Sequence, residues 1–408
     1  MDTAPFPLSP TPIHVPDEVL DDLRDRLART RLPLGEPDDP SYGVPRARLA
    51  DLLTYWRDGY DWRRAEAAIN AYENYTVTVD GTPVHFLRRA GVGPRPVPLI
   101  LSHGWPWTFW HWSKVIDPLA DPGAHGGDPA DAFDVIVPSL PGFGFPGPLT
   151  GHPDLTFVQV ADLWHSLMTR TLGYGRYAAG GCDIGALVCG QLGHKYAGAL
   201  YGIHIGSGQR LDFLSGDRAW SITQGRPLPD DLPDGIRERA LALERRFAVH
   251  LTTHMLEPAT LAAGLSDSPA GLLAWLLARW DGWSEHDGDV EKVFSRDDLL
   301  THATVYWANN AIGSSIRYYA NIDRHPWRPS HDRWPVVEAP TGITFVGYEN
   351  PPGVSTDRRV QSFLDSDRAA WYNHVNLTAH ERGGHFIPWE NPGAWVDDLR
   401  RTFRSRRP

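Results

Sequence analysis

Gly181-Cys182-Asp183-Ile184-Gly185 is the stretch on which the reading of this chain turns. It follows Tyr177-Ala178-Ala179-Gly180, a short run with strand character, and precedes a helical stretch from Ala186 to Tyr196. A sharp strand-to-helix turn holds its tip residue in strained backbone and needs small residues two positions to either side. With Asp183 at the tip, Gly181 and Gly185 meet that need; with Cys182 at the tip, Ile184 would stand where a small residue is required. No G-x-S-x-G occurs, which removes the usual serine esterase reading. Taken alone, the stretch also fits a glycine-rich turn whose aspartate caps the following helix.

Working outward, Val97 to Leu101, Phe133 to Val137 and Tyr201 to Ile205 are further short apolar runs, as expected of parallel strands buried on both faces. Helical stretches between them predict crossover connections. Upstream, Asp17 to Arg31 and Arg46 to Tyr60 read as helices, and Tyr75 to Val79 and Val84 to Arg88 alternate around Asp80-Gly81, a hairpin signal. Strand character disappears between Leu211 and Asp323, where Leu241 to His254, Ser268 to Trp280 and Ala303 to Asn321 read as helices. It returns at Thr344 to Val346 and near His374 to Leu377, before a closing helix from Pro392 to Arg404. The pattern predicts an α/β protein, a mostly parallel sheet flanked by helices. Its parts would be an N-terminal extension with leading strands (residues 1–95), the first half of the core (96–210), a helical lid (211–325) and the second half of the core (326–408).

A chain of 408 residues that is 41% hydrophobic can bury a sizeable core. A net charge of -11 argues against a nucleic acid or an anionic membrane surface as partner, because both need a basic face. Cys182 and Cys189 alone build neither a disulfide framework nor a metal site, so no metal and no cofactor are expected, and a reducing compartment is. Met1 to Pro16 does not read as a secretory signal, and no window reaches the roughly 18 apolar residues of a membrane span. A soluble cytoplasmic protein is the expectation.

A second candidate site residue is His385 in Arg382-Gly383-Gly384-His385-Phe386, after the last strand and before the last helix. The chain order nucleophile, acid, histidine is that of α/β-hydrolases, and an imidazole suits a base that takes a proton from water near neutral pH. The acid is expected after the preceding strand. Glu349 is the candidate there, with Glu338, Asp357, Asp365 and Asp367 as rivals. His103-Gly104-Trp105-Pro106 follows the first core strand, where this fold supplies an oxyanion-hole amide; the two donors would be the backbone N–H groups of Trp105 and Ile184. His111, His165 and His194 lack such context and read as surface or core residues.

Taken together these stretches resemble the epoxide hydrolases, in particular the branch of microsomal and juvenile hormone epoxide hydrolases with an N-terminal extension. The likeness runs through His103 to Pro106, Pro138-Ser139-Leu140-Pro141-Gly142-Phe143-Gly144-Phe145, the turn at Asp183, Asp267-Ser268-Pro269, Ser314 to Tyr319, Pro340 to Glu349 and Arg382 to Phe386. The resemblance implies Asp183 as covalent nucleophile, His385 as base, Glu349 as its orienting acid, and Tyr319 as one of two lid tyrosines that hydrogen-bond the epoxide oxygen. His250 stands where the second tyrosine is expected, with Tyr318 and His254 as substitutes for that role. The interval from Glu349 to His385 is longer than the branch's usual one and implies an insertion around Gly353 to Asp365.

His103, Pro106, Trp107, Phe143 and Phe386 are the expected substrate-binding residues, and the abundant tryptophans favour a bulky or aromatic epoxide. The expected partner is thus a small-molecule epoxide, with a role in natural-product assembly or detoxification; a homodimer is left open. A haloalkane dehalogenase shares the aspartate but usually has tryptophan directly after it, where this chain has Ile184. The remaining alternative is a hydrolase-fold protein that binds a ligand without turnover, which the histidine at position 250 keeps open.

Overall fold

The computed structural model describes residues 6–35, 38–221, 228, 230–231 and 233–407. Every candidate site residue lies among them; residues 1–5 of the stretch read for a secretory signal do not.

Eight strands form one sheet: β1 (Glu73–Val79), β2 (Thr82–Arg89), β3 (Val97–Ser102), β4 (Phe133–Pro138), β5 (Tyr177–Gly181), β6 (Leu200–Gly206), β7 (Val337–Val346) and β8 (Tyr372–His380). Their order is β1-β2-β4-β3-β5-β6-β7-β8. The β1–β2 hairpin turns through Asp80 and Gly81, both at positive φ (47° and 80°), which is the backbone a two-residue turn between twisted strands requires. β2 pairs antiparallel with β4, and every later pairing is parallel, as the apolar runs predict.

Helices α1 (Asp17–Ala28), α2 (Arg46–Asp58) and α3 (Trp62–Ile69) precede the sheet. α4 (Ser113–Ala120), α5 (Phe157–Ser166) and α6 (Ile184–Lys195) connect strands of its first half. α7 (Asp234–Leu256), α8 (Pro258–Asp267), α9 (Pro269–Trp283), α10 (Arg296–Ala308) and α11 (Ile312–Arg324) make the helical insertion between β6 and β7. α12 (Thr356–Leu364) and α13 (Asp367–Ala370) join β7 to β8; α14 (Ile387–Glu390) and α15 (Pro392–Phe403) close the chain.

One reading needs correction. The single helix expected from Ala303 to Asn321 is two, α10 and α11, because Asn310 adopts a left-handed backbone (φ 44°) and the Ala311 amide turns back to the Tyr306 carbonyl. α3 and α8 were not singled out from the sequence; α3 is a short helix of eight residues.

The N-terminal extension does more than lead into the sheet: it braces the lid. Trp56 of α2 is 2% exposed, and its indole N–H donates to Thr304 Oγ1 of α10 at 3.1 Å. Around this apolar contact Arg26 pairs with Asp267, Arg48 with Asp281 and Arg296 with Asp51. These rim pairs are partly solvated and each contributes little, so burial of apolar side chains such as Trp56 is the larger contribution. Among the described residues no single helix is long and apolar enough to cross a membrane.

Candidate active site

Parallel register brings the ends of the central strands together: Ser102 of β3 lies opposite Gly181 of β5, and Gly181 opposite Ile205 of β6. The turn after β5 puts Asp183 at φ 55°, ψ -129°, directly before α6. A non-glycine residue there carries strain on the order of 1–3 kcal/mol, which the crowding around it enforces. A Cβ on Gly181 would come 2.3 Å from the Gly185 carbonyl, and one on Gly185 would come 1.9 Å from the Ser102 carbonyl. One on Gly104 would come 2.1 Å from Asp183 Oδ1 itself. The small residues that flank the tip are therefore steric requirements of the turn.

Asp183 Oδ1 accepts the Trp105 backbone N–H at 2.8 Å. Its Oδ2 lies 3.3 Å from His385 Nε2, close enough for an ion pair but without the alignment of a hydrogen bond, since Nε2 has no bonded partner. On the other side of the ring, His385 Nδ1 and Glu349 Oε1 are 2.9 Å apart and hydrogen-bonded. The Ser207 hydroxyl donates to Glu349 Oε2 at 2.5 Å, and Arg359 Nη2 stands 3.8 Å from that same oxygen. Burial alone would lower the His385 pKa, but the two carboxylates outweigh it and raise it to about 10. Burial would likewise raise that of Glu349, yet the His385 hydrogen bond and charge, with Arg359 and Ser207, hold it at about 2. Of the five carboxylates considered from sequence, Glu349 is the one at His385. Glu338 pairs with Arg333, Asp367 with Arg210, and Asp365 bonds Gln361.

The loop that carries His385 is riveted by Glu390, whose carboxylate accepts the backbone N–H groups of Glu285 (2.6 Å), Gly384 (2.9 Å) and Phe386 (2.9 Å). Burial pushes this carboxyl up to about 7 in spite of those donors. The His385 amide donates to the Trp283 carbonyl at 2.9 Å, and the Trp283 ring stands 5.1 Å from the imidazole, edge to face.

Above Asp183 the lid supplies Tyr319 from α11 and His250 from α7. The Tyr319 hydroxyl is buried without a hydrogen-bond partner, and burial with the nearby Asp183 charge moves its pKa far above the usual phenol range. An orphaned buried donor of this kind is rare in a folded protein and points to a ligand that completes it. The His250 ring stacks on Trp105 (5.8 Å between centroids, 8° between planes) and meets the Tyr319 ring edge-on at 5.6 Å. Burial drives its pKa well below the usual histidine value, so the ring is neutral and keeps one N–H. Tyr318 instead donates to the Pro141 carbonyl at 3.0 Å, and His254 Nε2 accepts the Trp275 indole N–H at 3.1 Å. Neither lines the cavity over Asp183, whereas His250 and Tyr319 do.

That cavity has a volume of about 400 Å³. The five residues expected to bind substrate are not in its described wall. His103 instead ties loops together, accepting the Leu140 N–H at Nε2 (2.9 Å) and approaching the Gly104 carbonyl at 3.0 Å with Nδ1. Phe143 packs edge-on against His103 and Tyr318, Trp107 and Phe386 surround His111, and Pro106 belongs to the turn that aims the Trp105 amide. Sequence reasoning missed Ser207, Arg359, Glu390 and Phe247; Trp283, one of the tryptophans considered for the pocket, does line the cavity. Ser207, the residue just past β6 at the same sheet edge, was the one with a positional signal.

Sheet, lid and strained aspartate turn together define an α/β-hydrolase, and residues 97–222 match the α/β-hydrolase fold family. Residues 8–112 match the family described as the epoxide hydrolase N terminus. A protein of Stigmatella aurantiaca (strain DW4/3-1), described as a candidate epoxide hydrolase, is 36% identical over 98% of this chain and 86% of its own length. Epoxide hydrolase 1 of Oryctolagus cuniculus is 29% identical over 96% of this chain and 88% of its own. The solved juvenile hormone epoxide hydrolase of the silkworm Bombyx mori shares the fold, with a TM-score of 0.75 at 24% identity, covering 98% of this chain and 94% of that one. The chain belongs to the epoxide hydrolase family.

Proposed function

We propose that this protein hydrolyses an epoxide to a vicinal diol through an ester formed on Asp183. The observation that carries the proposal is a carboxylate held between the Trp105 amide and His385, beneath a buried phenol with no partner of its own. Asp183 Oδ2 attacks an epoxide carbon; the carbon–oxygen bond of the ring breaks, and the departing oxygen takes a proton from Tyr319, with the His250 N–H as second donor. A carboxylate suits displacement at a saturated carbon, where the product is an alkyl ester.

Ester formation also arms the base. The Asp183 charge, which helps hold the His385 proton in the resting protein, is consumed, so the imidazole can release that proton, through solvent, to the Tyr319 phenolate left by ring opening, and then accept one from water. The resulting hydroxide attacks Cγ of Asp183, and the oxyanion forms at Oδ1, where the Trp105 amide already donates and the Ile184 amide is the second candidate donor. Collapse breaks the bond between Cγ and Oδ2, and His385 returns the proton it took from water to the departing oxygen, which releases the diol. Ile184 offers no indole N–H for a halide, so the dehalogenase reading has no support at that position. The largely apolar wall, with Phe247, Leu251, Trp283 and Leu187, suits a bulky or aromatic epoxide.

The test is the His385→Gln variant exposed to styrene oxide. Intact-mass spectrometry is expected to show a protein heavier by one substrate, mapped to the peptide that contains Asp183. An unmodified variant alongside an active wild type contradicts the scheme.

A further inference from the structure

The cavity over Asp183 continues past Ser207 and Gln209 to a wall formed by the segment between Glu349 and β8, where it meets Ser362 of α12 and Arg368 of α13. Its two ends differ in charge balance. At the catalytic end Asp183 and Glu349 are matched by His385, Ser207 and the Trp105 amide. At the far end Arg368 is half-buried and makes no hydrogen bond or ion pair among the described residues; its guanidinium lies 5.8 Å from the Phe363 ring centroid.

The acids that would ordinarily neutralise it are already engaged. Asp367, its chain neighbour, and Asp212 both pair with Arg210, at 2.5 Å and 2.7 Å. Arg359, the other cavity arginine, faces Asn350 Oδ1, the Val346 carbonyl and Glu349. The Gln209 amide and the Ser362 hydroxyl, on the same wall, likewise have no partner in the protein among the described residues. An unmatched cation on the wall of a mostly apolar cavity, in a chain of net charge -11, leaves a site that an anion fills more favourably than an uncharged group.

Resting on the epoxide hydrolase reading above, we propose that Arg368 is a specificity residue for the acyclic or ring-bearing body's far end: the substrate carries a carboxylate, bound by Arg368 with Gln209 and Ser362, while its epoxide lies at Asp183. The substrate class is therefore an epoxy-carboxylic acid whose apolar body spans the cavity.

Terminal epoxy acids of increasing chain length, from 5,6-epoxyhexanoic to 10,11-epoxyundecanoic acid, test this, each against its methyl ester. At one chain length or more, kcat/KM for the acid is expected to exceed that for the ester about ten- to hundredfold, the effect of one charge-assisted hydrogen-bonded contact. Arg368→Gln should bring the acid-to-ester ratio to about one, and Arg368→Lys should keep part of it. In the wild type, raising the salt concentration should lower the ratio, a readout that needs no variant. No acid preference at any chain length, or an undiminished ratio in Arg368→Gln, overturns the inference. Failure to hydrolyse acids and esters alike, with styrene oxide also inert, would instead overturn the epoxide hydrolase reading.

Discussion

Gly104 shows how tightly the chemistry is framed at the scale of single residues. Its missing side chain leaves the space that Asp183 Oδ1 occupies, so Gly104→Ala must push either the turn or the carboxylate aside. A displacement near 1 Å is enough to cost on the order of 100-fold in rate. We expect Gly104→Ala to keep its circular dichroism spectrum and lose about that factor in kcat/KM on styrene oxide. His385 and Glu349 make a second prediction, for stability against pH. The folded pKa of His385 is raised to about 10, so the stability it contributes is complete below its unfolded value near 6.5 and is lost as pH rises toward 10. Glu349 is depressed to about 2, so its contribution is complete above about 4.5 and is lost as pH falls toward 2. Denaturant unfolding should therefore find the wild type losing stability between pH 6.5 and 10, with that component absent in His385→Gln.

At the scale of elements, the part of the site legible in sequence is the part written by sterics. Glycines around Asp183 and before His385 mark turns that tolerate few other residues, so both residues stood out. Ser207, Arg359 and Glu390 did not, because each reaches the triad from a loop or helix whose proximity is set by strand order rather than by local pattern. The aromatic residues misled for a related reason: an apolar wall and an apolar core have the same composition, and Trp107, Phe143 and Phe386 sit one layer behind the cavity. The helical reading from Ala303 to Asn321 passed over Asn309-Asn310, although asparagine is among the residues that most easily adopt the left-handed backbone found at Asn310. Trp56 is a buried part of the contact between the extension and the lid, and Trp56→Ala is expected to lose about 3–5 kcal/mol in urea unfolding, the usual cost of emptying a buried tryptophan site. An unchanged midpoint would mean that the polar rim holds the two together.

For the whole molecule, the sheet brings Asp183, Glu349 and His385 to one edge and the lid hangs Tyr319 and His250 over them. In the proposed mechanism the two oxygens of Asp183 have different fates: Oδ1, which accepts the Trp105 N–H, stays on the enzyme, and Oδ2 leaves with the product. The direct measurement is one turnover in water enriched in oxygen-18, with enzyme in excess over styrene oxide. The account predicts a diol without label and an Asp183 carboxylate that has gained it. A diol labelled in the first turnover, with Asp183 unlabelled, would mean that water attacks the epoxide directly and that no ester forms.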